Sequence, residues 1–202
     1  MNFSPRWLWL CAALIALIWW QYAHRPRTHP KGVLIADVPL QGGIEGTPAQ
    51  LSKYGITLKP LATFSLSARV LGRADYHWDF GAKLIPVDLA LGWGRMSDSA
   101  VLEKLDISQS ARYFYWSTKQ PLPIPAQEIV ESAANMHLIP ADEYVERAIK
   151  RTRVGDIAKF DGLLVEAQWP NGTKWTSSLT RSDSGSGACE LVWVQHFDTA
   201  SR

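Results

Sequence analysis

The chain has little cysteine, no concentrated basic stretch and no acidic residue in its first 23 positions, and each lack excludes something. Two cysteines in 202 residues, Cys11 and Cys189, cannot build a disulfide framework. Neither has a second Cys or a His at ligand spacing, so no metal site is expected and no cofactor is implied. All 19 Asp and Glu follow residue 23, as do all but one of the 21 Lys and Arg, which leaves the body of the chain near neutral with interspersed charge. Phosphate binding needs a dense basic footprint, so nucleic acid is not an expected partner. With 47% apolar and 20% charged residues the body can bury a core and is not a disordered segment.

What is present begins with an apolar run. Trp7 to Ala23 is 17 residues without a charge, about 25 Å as a helix, at the short end of what spans a bilayer. Trp7, Trp9, Trp19, Trp20 and Tyr22 gather at its two ends, where amphipathic rings favour the membrane interface. A cut after Ala23 would put Gln21 where signal peptidase needs a small residue, and the bulky Leu10 before Cys11 disfavours a lipidated cysteine. Residues 1–23 are therefore expected to be an uncleaved transmembrane anchor, with membrane lipid as a partner. Arg25, Arg27 and Lys31 outnumber Arg6 and argue for a cytoplasmic body, whereas a very short leading tail argues for export. The second argument is given more weight, so the body is expected to be periplasmic, on a bacterial inner membrane. Residues 24–50 carry Pro26, Pro30, Pro39, Pro48 and a Gly42-Gly43 pair with little periodicity, as a tether would.

Residues 51–202 read as one α+β domain. Phe64, Leu66, Ala68 and Val70 alternate with polar residues and mark a strand over 61–71, and 112–117 is a second. Ser97 is the expected cap of a short helix, 127–136 an amphipathic helix, and Asp142 the cap of another with outward pairs Glu143–Arg147 and Glu146–Lys150. From 154 to 197 the pattern is a β-meander. In its hairpin a two-residue loop would set Ala167 and Trp169 against polar partners. A three-residue loop with Gly172 left-handed pairs Ala167 with Trp175 and Leu163 with Leu179, and is preferred.

No complete catalytic signature is present, but several residues could carry chemistry. Cys189 shares a strand face with Leu191, Trp193 and Phe197, with Glu190 and His196 on the other, so it is expected to pack inward as a small hydrophobe. His137, at the end of the expected 127–136 helix, could serve as a base for Cys189 or Ser132 if folding brought them together; a helix-end His bonded to a carbonyl is the simpler account. Thr180 to Gly187, with Arg181 and Asp183, could cradle an anion but lacks the ending of a phosphate loop. Asp88, set among apolar neighbours after Pro86, is a turn acid or a buried one, with the turn favoured. Asn135, Arg181, Asp183 and Asp88 are the candidate ligand or partner contacts.

The segments Ser132 to Pro140, Ser177 to Arg181 and Gly187 to Trp193 resemble those of an uncharacterised family of single-pass bacterial membrane proteins. The resemblance implies a bacterial origin and supplies no catalytic residue. The expectation is a mainly antiparallel, strongly curved sheet or partly open barrel with two or three short helices. Its expected role is a membrane-anchored envelope module that binds a membrane or periplasmic protein without catalysis. The alternative is a hydrolase using Cys189 or Ser132 with His137 as base.

Overall fold

One strand sets the architecture. In the computed structural model, which describes residues 5–23, 25–46, 48–183, 185 and 187–200, β3 (Ile56–Asp75) runs for 20 residues and alternates buried and wet side chains through its first two thirds. Ile56, Leu58, Ala62, Phe64, Leu66, Ala68 and Val70 are buried, so the alternation expected over 61–71 marks the middle of a longer element. One edge of β3 pairs antiparallel with β8 (Ile157–Gln168) from Thr57 to Arg69. The other takes β2 (Leu51–Lys53), β1 (Leu40–Gly42) and, from Arg69 to Asp75, β4 (Val87–Gly92). Next to β4 comes β7 (Ala133–Pro140), then β10 (Glu190–Ala200) parallel to it, and β10 returns to β8 antiparallel. The curved sheet thus closes partly into a ring. Irregularities at Val70/Gly72, Pro60/Ala62 and Val194/His196 give the strands the bends that closure needs.

The ring encloses a core that includes Phe64, Leu66, Leu89, Met136, Leu138 and Phe197. Helix α4 (Glu143–Arg151) covers it with Val145 and Ile149. Asp142 caps α4 by accepting from the Val145 N–H at 2.9 Å, and both expected i,i+4 ion pairs form on its wet side. A second cluster around Leu58, Ile85, Val165 and Trp169 lies outside the ring. A third lies beneath the two-stranded ribbon of β5 (Asp106–Ser110) and β6 (Tyr113–Ser117), together with α2 (Ser99–Leu102) and α3 (Ala126–Glu131).

Several expectations need correction. The helix expected over 127–136 stops at Glu131, and the residues after Ser132 form β7. β7 is flanked by β4 on one side and β10 on the other, so ladder pairing and burial on both faces override its helix-compatible composition. Asp98, not Ser97, caps α2, while Ser97 Oγ meets the backbone of Leu34 and Ile35. In the hairpin Ala167 does pair with Trp175 across a loop with Gly172 at φ 86°. β9 (Lys174–Thr176) ends too early to reach Leu163, which pairs with Thr63 and Trp193 instead.

The apolar N-terminal run forms helix α1 (Pro5–Ala23), 19 residues and about 28 Å long. No helix among the described residues is long and apolar enough to cross a membrane. Arg6 and Gln21 fall inside α1, and four tryptophans occupy positions an aliphatic span would give to Leu or Ile. Beyond it the chain lies against the domain. Arg27 donates its N–H to Val154 O at 2.7 Å and sits 3.5 Å from Asp156, His29 reaches Gly155 O at 2.6 Å, and β1 joins the sheet.

Candidate functional site

Polar and aromatic residues converge where the β5–β6 ribbon, β7, β9 and the loop before β10 meet. The ribbon turns on Ala111 and Arg112, both with positive φ (48° and 66°), a conformation that two-residue hairpins usually give to Asn or Gly. The strain is held by what Arg112 touches. Its guanidinium donates to Asp79 at 2.7 and 2.8 Å, to Asp88 at 3.1 Å and to Ile85 O at 3.1 Å. Its backbone N–H donates to the Tyr76 hydroxyl, and its carbonyl accepts from Asn135 Nδ2 at 2.9 Å. Six hydrogen bonds to one turn residue over-determine its geometry.

Beneath Arg112, Asp88 is 0% exposed and His137 2%. Asp88 is a strand residue of β4, not a turn acid, and it faces His137 across the β4–β7 pairing. Its Oδ1 lies 2.9 Å from His137 Nδ1, and the edge of the imidazole meets Trp175 with ring centroids 4.6 Å apart. The Arg112 hydrogen bonds hold the Asp79 carboxyl below its usual range. Burial, and then the Asp88 carboxylate, push the Tyr76 phenol up to about 12.

Beside this network opens a pocket of about 140 Å³ lined by Tyr113, Phe114, Trp116, Asn135, Arg181, Asp183, Cys189 and Glu190 among others. Glu190 is a correction: expected on the wet face, it is 1% exposed. Arg181 Nη1 lies 2.9 Å from its Oε1, while its Oε2 and Arg181 Nε are buried without a hydrogen-bond partner. Burial pushes the Glu190 carboxyl up to about 7 against the opposing pull of Arg181. Asp183, at the rim, accepts from Ser178 Oγ at 2.6 Å.

Cys189 is half-buried at the pocket wall, just before β10 begins, with Sγ 4.0 Å from Arg112 O. Burial, then the charges of Glu190 and Asp88, push its thiol up to about 12, so the nucleophilic thiolate is scarce at neutral pH. A second opening has both Cys189 and His137 in its walls, with Arg112 and Trp175 between. Ser132 is placed elsewhere. It follows α3, its carbonyl accepts from the Trp93 N–H, and its side chain lies toward Gly94. Five residues of extended chain separate it from His137, roughly 16 Å.

The structure thus brings together Asn135, Arg181, Asp183 and Cys189, sets Asp88 and His137 beneath them, and leaves Ser132 apart. Sequence reasoning missed Arg112 and Glu190. The aromatic run Tyr113 to Trp116 directly after Ala111-Arg112 was a visible signal for the first. The second was hidden by the register change in β10. Among the described residues no group of three His, Cys, Asp or Glu side chains is placed to hold a metal ion. No protein-family model matches the chain, nor does any curated protein or solved structure.

Proposed function

We propose that this protein is a membrane-tethered binding module of the bacterial envelope, holding a periplasmic domain at the inner membrane to engage a protein partner without catalysis. The observation that carries the reading is α1. Leu8, Leu10, Leu14, Ile15, Leu17 and Ile18 on one half of the helix, and Trp9, Ala12, Ala13 and Ala16 on the other, are all exposed, and no part of the domain covers them. A helix apolar all round requires an apolar environment. Trp7, Trp9 and Trp19 suit the headgroup layer of a bilayer, and basic Arg25 and Arg27 follow at once. α1 is not long and apolar enough to cross a membrane alone, so insertion into one leaflet with its rings in the headgroup layer is the form of tethering that suits its composition.

A protein partner is favoured by the aromatic surface around Arg112. Trp78 is 97% exposed, and Phe80, Tyr113 and Tyr115 are exposed near it on the two segments that Arg112 bonds together. Trp, Tyr and Arg are enriched among the few residues that carry most of the binding energy of protein interfaces. The test is affinity purification of the full chain from detergent-solubilised membranes. A stoichiometric protein retained by the wild type and by Cys189→Ala, and lost with Trp78→Ala/Tyr115→Ala, is the expected result. Equal retention by the aromatic variant overturns the reading.

A further inference from the structure

The pocket beside Cys189 is built around a carboxylate that the protein leaves half used. Glu190 points one oxygen at Arg181, and the other has no partner among the described residues, although Glu190 is 1% exposed. A buried acceptor without a donor costs about 1–3 kcal/mol, and more if charged. A hydrogen-bond donor entering the pocket would relieve that cost.

Two further observations say what kind of donor. Asp183 adds a second carboxylate to the same wall against the one guanidinium of Arg181, so the lining carries an excess of negative charge once Glu190 is ionised, above about pH 7. Burial first, and then the charge of Glu190, push the Cys189 thiol in the same wall up to about 12, so that thiol does not add a thiolate to the lining at neutral pH. Opposite stand Phe114 and Trp116, which share the inward face of β6, with Tyr113 at the rim. Aromatic faces attract cations and pack against alkyl stems. At about 140 Å³ the space is close to the ~150 Å³ cavity that admits a benzene ring, so the guest is small.

We propose that this pocket binds a protonated primary amine on a short apolar stem, its ammonium donating to the free Glu190 oxygen and its stem lying against Phe114 and Trp116. The amine is either a free small molecule or a lysine side chain presented by a polypeptide, since both offer the same group on the same stem. Tyr113 borders both this pocket and the Trp78 surface, but Glu190→Gln and Trp78→Ala/Tyr115→Ala share no residue, so either proposal can fail alone.

The test is titration of the full chain in detergent, followed by the fluorescence of its tryptophans and by calorimetry. Butylammonium, neutral butanol and anionic butyrate are compared at pH 8.5, above the Glu190 pKa of about 7, each at constant ionic strength, with an Ala-Lys-Ala peptide as a fourth arm. Butylammonium is expected to saturate and to bind at least tenfold more tightly than butanol or butyrate. Glu190→Gln is expected to abolish that preference. Should Glu190→Gln not fold, Asp183→Asn on the loop is expected to weaken butylammonium binding several-fold with an unchanged melting temperature. The peptide binding as tightly as butylammonium assigns the guest to a polypeptide lysine, and its failure assigns it to a free amine. Equal binding of butanol, tighter binding of butyrate, or no saturation by butylammonium overturns the proposal.

Discussion

Glu190 should make the stability of the domain depend on pH. Its folded-state pKa of about 7 lies above the ordinary 4.5, so between those values the native state holds a proton that the unfolded chain has released. Stability contributed by this group is complete below pH 4.5 and is lost as pH rises through 7, by roughly 3 kcal/mol in all. Urea midpoints at pH 5 and pH 8 check this: the wild type is expected to be less stable at pH 8, and Glu190→Gln to flatten the difference. Cys189 gives a second expectation at this scale. In a Cys11→Ser background its alkylation by iodoacetamide at pH 8 should be at least about tenfold slower in the native protein than in urea, because a thiol pKa of about 12 against 9.0 lowers the thiolate fraction more than it raises the thiolate's nucleophilicity. Cys189 and Glu190 also show where single residues escape a reading of the sequence. Side-chain parity along residues 189–197 placed Cys189 inward and Glu190 outward. The irregularity between Val194 and His196 shifts that parity, and nothing in the local composition announces it.

At the scale of elements, the β5–β6 ribbon depends on one residue from its own turn. Arg112→Met removes the cation beside the fully buried Asp88 and releases the strained turn, and is expected to cost about 3–5 kcal/mol. Thermal or urea unfolding measures it, and amide exchange in 106–117 should rise well beyond that in β3. The contact of β8 with β10 is as exacting. A Cβ at Gly162 would stand 2.0 Å from Trp193 O, so Gly162→Ala must move a strand and should destabilise by at least about 3 kcal/mol in the same assay. The elements that were legible are those whose local pattern and tertiary role agree: the alternation in β3, the capped and charge-paired α4, the Ala167–Trp175 register. β7 was not legible. Its Ala-Ala-Asn-Met-His run suits a helix, and only its two neighbouring strands, one from the far end of the chain, make it extended. With β7 misread, His137 was placed at a helix end, and its contact with Asp88 could not be foreseen.

For the whole molecule, a partly ring-closed sheet carries a strapped N-terminal segment and a helix that the domain does not cover. Mixed α+β class, strong curvature and few short helices could be expected from short strand patterns and turn signals. A partly open barrel was expected as well, but not the order of strands that closes it, because that depends on β10 running parallel to β7 and antiparallel to β8 at once. Of the pocket, the Thr180–Gly187 loop, Asn135 and Cys189 were legible as separate candidates; its buried acid and aromatic wall needed the register. The account rests on lipid being what covers α1. Flotation of the full chain with phosphatidylethanolamine–phosphatidylglycerol vesicles, at high salt to screen charge, tests this most directly. The wild type is expected to rise with the vesicles, and Leu14→Lys/Ile18→Lys, which adds two cations to the apolar middle at about 2.5–3.5 kcal/mol each, to remain below. A wild type that stays at the bottom, or a double variant that floats equally well, contradicts it.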